Sequence, residues 1–230
     1  MKIIIHHQLR NGEKKSRWKK MEMRTYRLAL ACTGEWGEVR GTKEKALADM
    51  VAFVEKTNLL FEAELAIRTI LIEKNDLLIN LDGKNDLYTN STVGADILTQ
   101  IQNIISGKVG FSSFDIGHVF SICHDVGGIA GGTACTSSKS AGVTCHNSSG
   151  ISNGIVLVFN HEVGHQLTAS HTFNHCPGQE GQLSATGYEI RQWIYCHGLA
   201  RSACSTSNLG AQRKLLSRIV IGSNHQLYQF

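Results

Sequence analysis

The sequence predicts an α/β fold with a mostly parallel sheet, because segments with strand character alternate with segments of helical periodicity. Three stretches dense in apolar residues, Thr25–Cys32, Leu65–Ile72 and Asp115–Ile122, predict buried strands. Two stretches between them, Thr42–Phe61 and Ala95–Ile105, place apolar residues at helical spacing. Strand, helix, strand, helix, strand is the order expected of a sheet whose neighbouring strands run parallel.

Length and composition limit the classes of protein that fit. The chain has 230 residues, 42% of them hydrophobic, and a single proline, Pro177. This composition supports one large domain or two small ones and excludes a wholly disordered or fibrous chain. No apolar run reaches the roughly 18 residues that a membrane span needs. The apolar stretch behind Met1 ends at His6, which is too short for the core of a signal peptide, so we expect no export signal.

Caps and loops bound the predicted elements. Thr42 is a typical N-cap for the first helix, and Ser106-Gly107 is a typical end for the second. Asn80–Asn90 is rich in Asn, Asp and Gly and predicts a loop. Residues 126–154 are rich in Gly and Ser, so we expect irregular loop there with an edge strand around Ala141–Thr144.

Positive charge is concentrated at the start of the chain. Residues 1–27 carry nine basic side chains against two acidic ones, whereas the rest of the chain is nearly neutral. A basic arm over residues 1–23 could contact nucleic acid or anionic lipid. Trp18 and Tyr26 are the only aromatic residues interleaved with these charges, and a solvated leader explains them equally well. We therefore expect no nucleic-acid partner.

The cysteine content points in two directions. Seven cysteines without a Cys-x-x-Cys pair disfavour a zinc ribbon or a thioredoxin-type site. The number itself favours an oxidising compartment, which conflicts with the missing export signal. Cys135 and Cys145 bracket a ten-residue loop, where either a disulfide or two free thiols would be consistent with the sequence.

The segment from His161 to His171 contains the pattern His-Glu-x-x-His. On a helix, positions four apart differ by about 40° and rise about 6 Å, so His161 and His165 project from one face and can reach one ion. Neutral imidazole is a good ligand for Zn²⁺, and the neighbouring carboxylate of Glu162 can act as a general base on water. The pattern predicts a zinc site with Zn²⁺ as the cofactor.

His171 is the candidate third ligand. In a continuous helix it would lie about 15 Å along the axis from His161, which is far beyond a zinc bond. The chain must therefore leave the helix soon after His165 and turn back. Glycine would make such a turn easily, but position 168 is Thr168, for which a left-handed conformation costs on the order of 1–2 kcal/mol.

Other polar residues allow a functional and a plainer interpretation. His175 and Cys176 could add metal ligands, although a loop cysteine in a disulfide is the better explanation, because four protein ligands would close the zinc site. His124 and Asp125 could support a catalytic site, but a polar pair after a strand is the simpler explanation. The Gly-Gly pairs between residues 127 and 132 lack the strand-to-helix setting of a phosphate loop, and we interpret them as flexible turns.

Several motifs together carry a family resemblance. From Arg24 to about residue 190 the chain resembles the metzincin zinc endopeptidases, specifically the reprolysin-like (adamalysin-type) catalytic domains of secreted bacterial proteins. The motifs are Arg24-Thr-Tyr-Arg-Leu-Ala-Leu-Ala, Thr33-Gly-Glu, Asp115-Ile-Gly-His-Val-Phe, His161-Glu-Val-Gly-His-Gln and Ser170-His-Thr-Phe-Asn174.

The resemblance implies a fold, a site and a substrate class. The fold would be a five-stranded mixed sheet, mostly parallel, with backing helices, an active-site helix and a small lower subdomain. His161, His165 and His171 would be the zinc ligands, and Glu162 would be the general base and acid. The substrate would be a protein or peptide, and the location would be extracellular or periplasmic.

Two departures from the family pattern affect the end of the chain. The family usually has glycine where this chain has Thr168, and it has a tight turn with a methionine beneath the zinc histidines. The only methionines here are at positions 1, 21, 23 and 50, so that turn is absent and the lower subdomain is expected to be incomplete.

A frameshift would explain the missing turn. Arg191-Gln-Trp-Ile-Tyr195 can be encoded by CGG CAG TGG ATC TAC, and reading one base later gives Gly-Ser-Gly-Ser followed by Thr. Such a segment precedes the methionine in the proteins that this chain resembles. We hypothesise a frameshift near Ile190, which a nucleotide sequence with codons incompatible with that frame would refute.

The sequence therefore predicts three regions and one leading function. The regions are a basic arm at 1–23, a metzincin-like catalytic domain at 24–190 and an atypical tail at 191–230. The leading function is a zinc-dependent endopeptidase. The alternative is a catalytically impaired zinc-binding remnant of such an enzyme, and a weaker third interpretation is a nucleic-acid-binding module that uses the arm. The sequence does not predict an oligomeric state.

Overall fold

The computed structural model describes residues 22–147 and 150–169, which form nine regular elements and three short 3-10 turns. The basic arm up to residue 21, the tail at 191–230, His171, His175 and Cys176 lie outside the described residues. In chain order the elements are β1 (Arg24–Cys32), α1 (Gly34–Arg40), α2 (Lys43–Leu65), β2 (Ile67–Leu71), α3 (Gly94–Val109), β3 (Ile116–Ser121), β4 (Gly128–Gly131), β5 (Ser140–Cys145) and α4 (Asn153–Gln166).

One five-stranded sheet organises the described part of the chain. Its strand order is β2-β1-β3-β5-β4. The pairs β1–β2, β1–β3 and β3–β5 are parallel, and only β4 runs antiparallel, against β5. The expected α/β class and the mostly parallel, five-stranded mixed sheet are confirmed.

Helices cover the sheet on both faces. On one face Ile97, Ile101 and Ile105 of α3 pack against small and branched residues of the strands, including Val119 and Val143. Because both faces are covered, β1 is a nearly continuous apolar run whose last five residues are all buried.

An aromatic cluster fills the opposite face, beneath α2 and α4. Phe120 of β3 lies at its centre, with ring centroids 4.6 Å from Phe53 of α2 and 5.4 Å from Phe159 of α4. Trp36 of α1 stacks on Phe120 at 5.1 Å. These contacts seat α4, the helix with the His-Glu-x-x-His pattern, on the central strand of the sheet.

The two predicted helices form but are longer than the sequence indicated. Thr42 is the N-cap of α2, since its hydroxyl accepts a hydrogen bond from the amide of Lys45, as expected. The helix continues to Leu65 and ends at Ala66, which has a left-handed φ of 53°. Likewise α3 passes Ser106-Gly107 and ends only before Gly110, with φ of 88°. Helical hydrogen bonding thus continues past the apolar residues that defined the pattern.

The Gly- and Ser-rich region is more regular than expected. The strand around Ala141–Thr144 exists as β5, but it lies inside the sheet between β3 and β4 and is not an edge strand. The edge on that side is β4, which includes Gly128 and Gly131, so the interpretation of the glycine pairs as flexible turns was wrong for these two residues. Gly127 and Gly132 lie just outside the strand. Glycine is uncommon inside strands unless another group approaches the backbone closely. At Gly128 that group is the side chain of Glu162.

Helix α1 was not predicted because glycines obscure its helical character. Gly34 and Gly37 lower helix propensity by about 1 kcal/mol each relative to alanine. They are needed because a β-carbon on Gly34 would collide with the carbonyl of Asp82, and one on Gly37 with the carbonyl of Asn80. The helix therefore packs directly against the backbone of the 80–86 loop.

One disulfide joins the ends of two neighbouring strands. Cys123, just beyond β3, is bonded to Cys145 at the end of β5, with Cα atoms 5.1 Å apart. The suggested pairing of Cys135 with Cys145 is therefore wrong, and Cys135 is an exposed free thiol. The parallel register explains the difference, because it places Cys145 beside Ser121, two residues before Cys123.

Asn75 completes the sheet where β2 stops. Its side-chain oxygen accepts a hydrogen bond from the amide of Leu30, and its side-chain nitrogen donates to the carbonyl of Leu30, both at 2.9 Å. The amide thus replaces one residue of a neighbouring strand beside β1. This pairing satisfies backbone groups that would otherwise be buried without partners.

Asp125, which follows strand β3, contacts the start of α3. The carboxylate of Asp125 accepts a hydrogen bond from the amide of Gly94 at the start of α3, at 3.0 Å. That contact supports the interpretation of His124 and Asp125 as a polar pair after a strand.

Within 22–147 and 150–169, no helix has both the length and the apolar character for crossing a membrane.

Candidate metal centre

Helix α4 carries the candidate site and is held at its start by a cap. The hydroxyl of Ser152 accepts a hydrogen bond from the amide of Ile155. Phe159 and Val163 of the helix are fully buried. The neighbouring residues His161 and His165 are only half-buried and lie at the border of the core. The helix therefore buries its apolar side and leaves both imidazoles accessible from solvent.

His161 and His165 converge as the spacing of four predicts. Their Nε2 atoms lie 3.1 Å apart, the ring centroids 4.6 Å apart, and the ring planes are nearly perpendicular at 88°. Each imidazole thus directs the same ring nitrogen toward a common point.

This separation fits a tetrahedral metal ion. Two zinc–nitrogen bonds of 2.0–2.1 Å at a tetrahedral angle place the nitrogens about 3.3 Å apart. The observed Nε2 separation of 3.1 Å differs from that value by only a few tenths of an ångström. The two donors are also of the type that zinc prefers, so the residues present fit the cofactor that the sequence predicts.

Glu162 lies next to this pair but is directed into the protein. It is only 5% exposed, and burial raises the pKa of its carboxyl group to about 7. Its side chain lies against strand β4, because a β-carbon built on Gly128 would lie 2.6 Å from Oε1 of Glu162. A carboxyl group with a pKa near neutrality can accept a proton and return it, which is what a general base and acid requires.

Helix α4 ends one residue after His165. Helix α4 ends at Gln166, and Thr168 has a φ of +77°. The exit from the helix soon after His165 is confirmed, and Thr168 adopts the left-handed conformation that is strained for a β-branched residue. A β-branched residue in this region is a genuine outlier, and such outliers are often associated with functional sites.

The described residues do not include a third metal ligand beside the two histidines. His171 lies outside the described residues, as do His175 and Cys176. Among residues 22–147 and 150–169, no group of three His, Cys, Asp or Glu side chains could hold a metal. The role of His171 therefore stays a prediction.

A buried polar network lies beneath the end of α4. Gln166 donates a hydrogen bond from Nε2 to the carbonyl of Gly117 at 2.7 Å, so its Oε1 must act as the acceptor toward Nδ1 of His118 at 2.9 Å. Nδ1 therefore carries the proton, and Nε2 of the neutral ring accepts from the hydroxyl of Thr144 at 2.9 Å. Burial lowers the pKa of His118 to about 4, which keeps the ring neutral.

The sequence did not single out the side chains that hold α4 in place. Gln166 and His118 lie on α4 and β3, and on the other side Asn160 accepts a hydrogen bond from Thr57 of α2 at 2.6 Å. His118 did appear within the Asp115-Ile-Gly-His-Val-Phe motif. A histidine between apolar residues of a buried strand is a signal, because such a residue needs buried partners.

The mixed sheet and a helix that converges two histidines beside a buried glutamate define the class of metal-dependent peptidases. The model of metallo-peptidase family M12B, reprolysin-like, matches residues 47–172, more than half of the chain. The chain belongs to this family, which confirms the resemblance to reprolysin-like metzincins, while the secreted bacterial type stays a prediction. The matched range contains all four candidate site residues, His161, Glu162, His165 and His171. A comparison with curated proteins gives no significant match.

Proposed function

We propose that this metallopeptidase is a zinc-dependent endopeptidase in which His161, His165 and His171 hold the ion and Glu162 is the general base and acid. The observation that carries the proposal is the 3.1 Å approach of the two Nε2 atoms beside a buried carboxyl group. Membership of the M12B family supports metal-dependent peptide hydrolysis. The third ligand rests on the spacing in the sequence alone.

Each residue has a defined task in this proposal. When bound, zinc supplies a Lewis acid that polarises a peptide carbonyl and lowers the pKa of water. Glu162 takes a proton from the attacking water and returns it to the leaving amine, which a carboxyl pKa of about 7 permits at neutral pH. His161 and His165 bind the ion through Nε2, the atom that their mutual orientation already brings together.

Zinc content separates the ligands from the base. We expect His165→Ala to lose bound zinc, whereas Glu162→Ala keeps the metal and loses at least about 99% of turnover. His124→Ala is the matched control, because this exposed histidine lies on another part of the fold. Metal analysis after dialysis and cleavage of a quenched peptide measure both effects. Full zinc content in His165→Ala would refute the assignment.

A second candidate function is a zinc-binding remnant without peptidase activity. One observation favours it: no methionine follows Met50, whereas the resemblance implies a methionine-bearing turn beneath the zinc histidines. In such a remnant the helix histidines would still bind zinc, while the part that holds substrate would be incomplete.

Chelator-sensitive cleavage distinguishes the two functions. An endopeptidase with one bound zinc per chain hydrolyses casein and stops when a chelator removes the metal. A remnant binds one zinc per chain but gives no cleavage that the chelator abolishes. The Glu162→Ala variant is the blank for contaminating peptidases in both cases.

A further inference from the structure

We propose that Gln166 is the positioning residue of the metal centre: by holding the last turn of α4 on strand β3, it fixes the place of His165 and the point where the chain leaves the helix. The inference rests on the proposed zinc site but goes beyond it. Gln166 does not contact the metal in this proposal and acts through its neighbour.

Three hydrogen bonds from other segments of the chain converge on Gln166. The Gln166 side chain is fully buried, and both of its polar atoms are hydrogen-bonded to β3, at Gly117 and His118. Its main-chain carbonyl also accepts a hydrogen bond from the amide of Ala134 at 3.0 Å. Gln166 is therefore fixed at three atoms by two other segments of the chain.

These hydrogen bonds lie at the C-terminal end of α4. The last four carbonyl groups of a helix lack intrahelical partners, so a final turn frays unless other groups hold it. His165 lies in that final turn, and Gln166 is the last helical residue. Metal ligands must lie within about 0.2 Å of their ideal distances. Anchoring the residue next to His165 is thus a direct way of placing its Nε2 atom.

The backbone is strained two residues after Gln166. Thr168 adopts a φ of +77°, which a β-branched residue does not adopt without compensation. The chain exits the helix two residues earlier, at Gln166, whose side chain and main-chain carbonyl are both hydrogen-bonded to other segments. The anchor therefore favours the exit and offsets part of the strain.

The neighbouring strand is shaped around this network. A β-carbon on Gly142 of β5 would lie 2.5 Å from Nδ1 of His118 and 2.7 Å from Oε1 of Gln166. Thr144 of the same strand hydrogen-bonds the far side of the His118 ring. Any side chain at position 142 would displace the two groups that meet there.

The test compares zinc affinity in Gln166→Met with that in a matched variant, Asn75→Leu. Both substitutions remove a side-chain amide that makes two hydrogen bonds to a strand, but Asn75 bonds Leu30 of β1 and makes none to α4. We expect the Kd for zinc, measured by competition with a chromogenic chelator, to rise at least about tenfold in Gln166→Met and to stay unchanged in Asn75→Leu.

A spectroscopic measurement separates positioning from general stability. Co²⁺ in place of zinc gives visible absorption bands that report the coordination geometry. We expect the bands of Gln166→Met to shift or weaken relative to wild type, and those of Asn75→Leu to match wild type. If Gln166→Met does not fold, Gly142→Ala replaces it, because the added β-carbon disturbs the contact between His118 and Gln166 and removes no polar group. Gly131→Ala is the control for that variant, because a β-carbon at position 131 meets nothing within 4 Å.

Each outcome decides between the inference and the function on which it rests. Wild-type affinity and an unchanged cobalt spectrum in Gln166→Met would overturn the positioning role and leave the zinc site intact. Equal weakening in Gln166→Met and Asn75→Leu would also overturn it, because stability alone would then explain the effect. A wild-type protein that binds no zinc would overturn the proposed function itself.

Discussion

Gly128 is the residue that lets the edge strand contact the proposed general base. Its missing side chain leaves the space that the Glu162 carboxyl group occupies, since a β-carbon would lie 2.6–2.9 Å from Oε1, Cγ and Cδ of Glu162. Real β-carbons essentially never approach so closely, so either the strand or the carboxyl group would have to move. Gly128 therefore sets the position of Glu162.

We expect Gly128→Ala to lower kcat by about tenfold or more without reducing zinc content, because a displaced general base loses much of its contribution. Peptide cleavage and metal analysis on the same preparation measure the two effects. Gly127→Ala and Gly131→Ala are the controls, since a β-carbon at either position meets nothing within 4 Å. A loss of turnover as large in the controls as in Gly128→Ala would contradict this role.

Thr168 stores strain that glycine would release. Its φ of +77° costs an L-residue about 1–2 kcal/mol, whereas glycine pays about 0.5–1 kcal/mol in additional chain entropy. We expect Thr168→Gly to raise the free energy of unfolding of the metal-free protein by roughly 0.5–1 kcal/mol. Urea denaturation measures the change.

An exposed threonine in an ordinary conformation provides the comparison for Thr168. Thr133 is exposed, as Thr168 is, and its φ is not positive. Thr133→Gly should therefore lower the free energy of unfolding, because only the entropy cost applies. Destabilisation by both substitutions would show that residue 168 carries no releasable strain.

Single residues could be predicted where local spacing determines their geometry. The convergence of His161 and His165 follows from helix periodicity, and the early end of α4 follows from the need to leave the helix after His165. Gln166 ends the His161-Glu-Val-Gly-His-Gln motif, but its role as an anchor was beyond reach, because its partners Gly117 and His118 lie 49 and 48 residues away in the sequence. Nothing local distinguishes a glutamine that anchors a helix from one that faces solvent.

At the scale of elements, periodicity found the long helices and the buried strands but not their order at the sheet edge. The Gly-rich run 126–132 has no strand pattern of its own, yet it forms β4 because β5 offers an open edge. Once β4 occupies that edge, β5 becomes an inner strand. The prediction of β5 as an edge strand was wrong because strand pairing is a tertiary contact, and such contacts override weak local preferences for secondary structure.

The Cys123–Cys145 disulfide closes the loop that contains β4. Its partners are 22 residues apart, so loop-closure entropy predicts a contribution of about 3 kcal/mol to the free energy of unfolding. We expect the double variant Cys123→Ala/Cys145→Ala to lose about this amount. The edge strand, and with it the contact between Gly128 and Glu162, should loosen first. Urea denaturation and amide exchange of residues in β4 measure these effects.

Cys135 is the matched control for the disulfide. It lies in the same loop but is a free, exposed thiol. Cys135→Ala should therefore leave the free energy of unfolding and the exchange rates in β4 unchanged. A double variant as stable as Cys135→Ala would contradict a stabilising role of the bond.

At the scale of the whole described fold, two buried ionisable groups link stability to pH with opposite signs. His118 has a pKa of about 4, below its ordinary value of 6.5, so its contribution is present above pH 6.5 and is lost as the pH falls through about 4. Glu162 has a pKa of about 7, above its ordinary 4.5, so its contribution is present below pH 4.5 and is lost as the pH rises through about 7.

Removing Glu162 should therefore expose the acid sensitivity that His118 causes. In metal-free Glu162→Gln, we expect the free energy of unfolding to fall by about 3 kcal/mol between pH 6.5 and pH 4 because of His118 alone. The double variant His118→Gln/Glu162→Gln should lack this fall, since glutamine does not titrate and can still bond Gln166 and Thr144. Urea denaturation across this pH range measures the difference between the two variants. Parallel curves would show that His118 is not held neutral beneath α4.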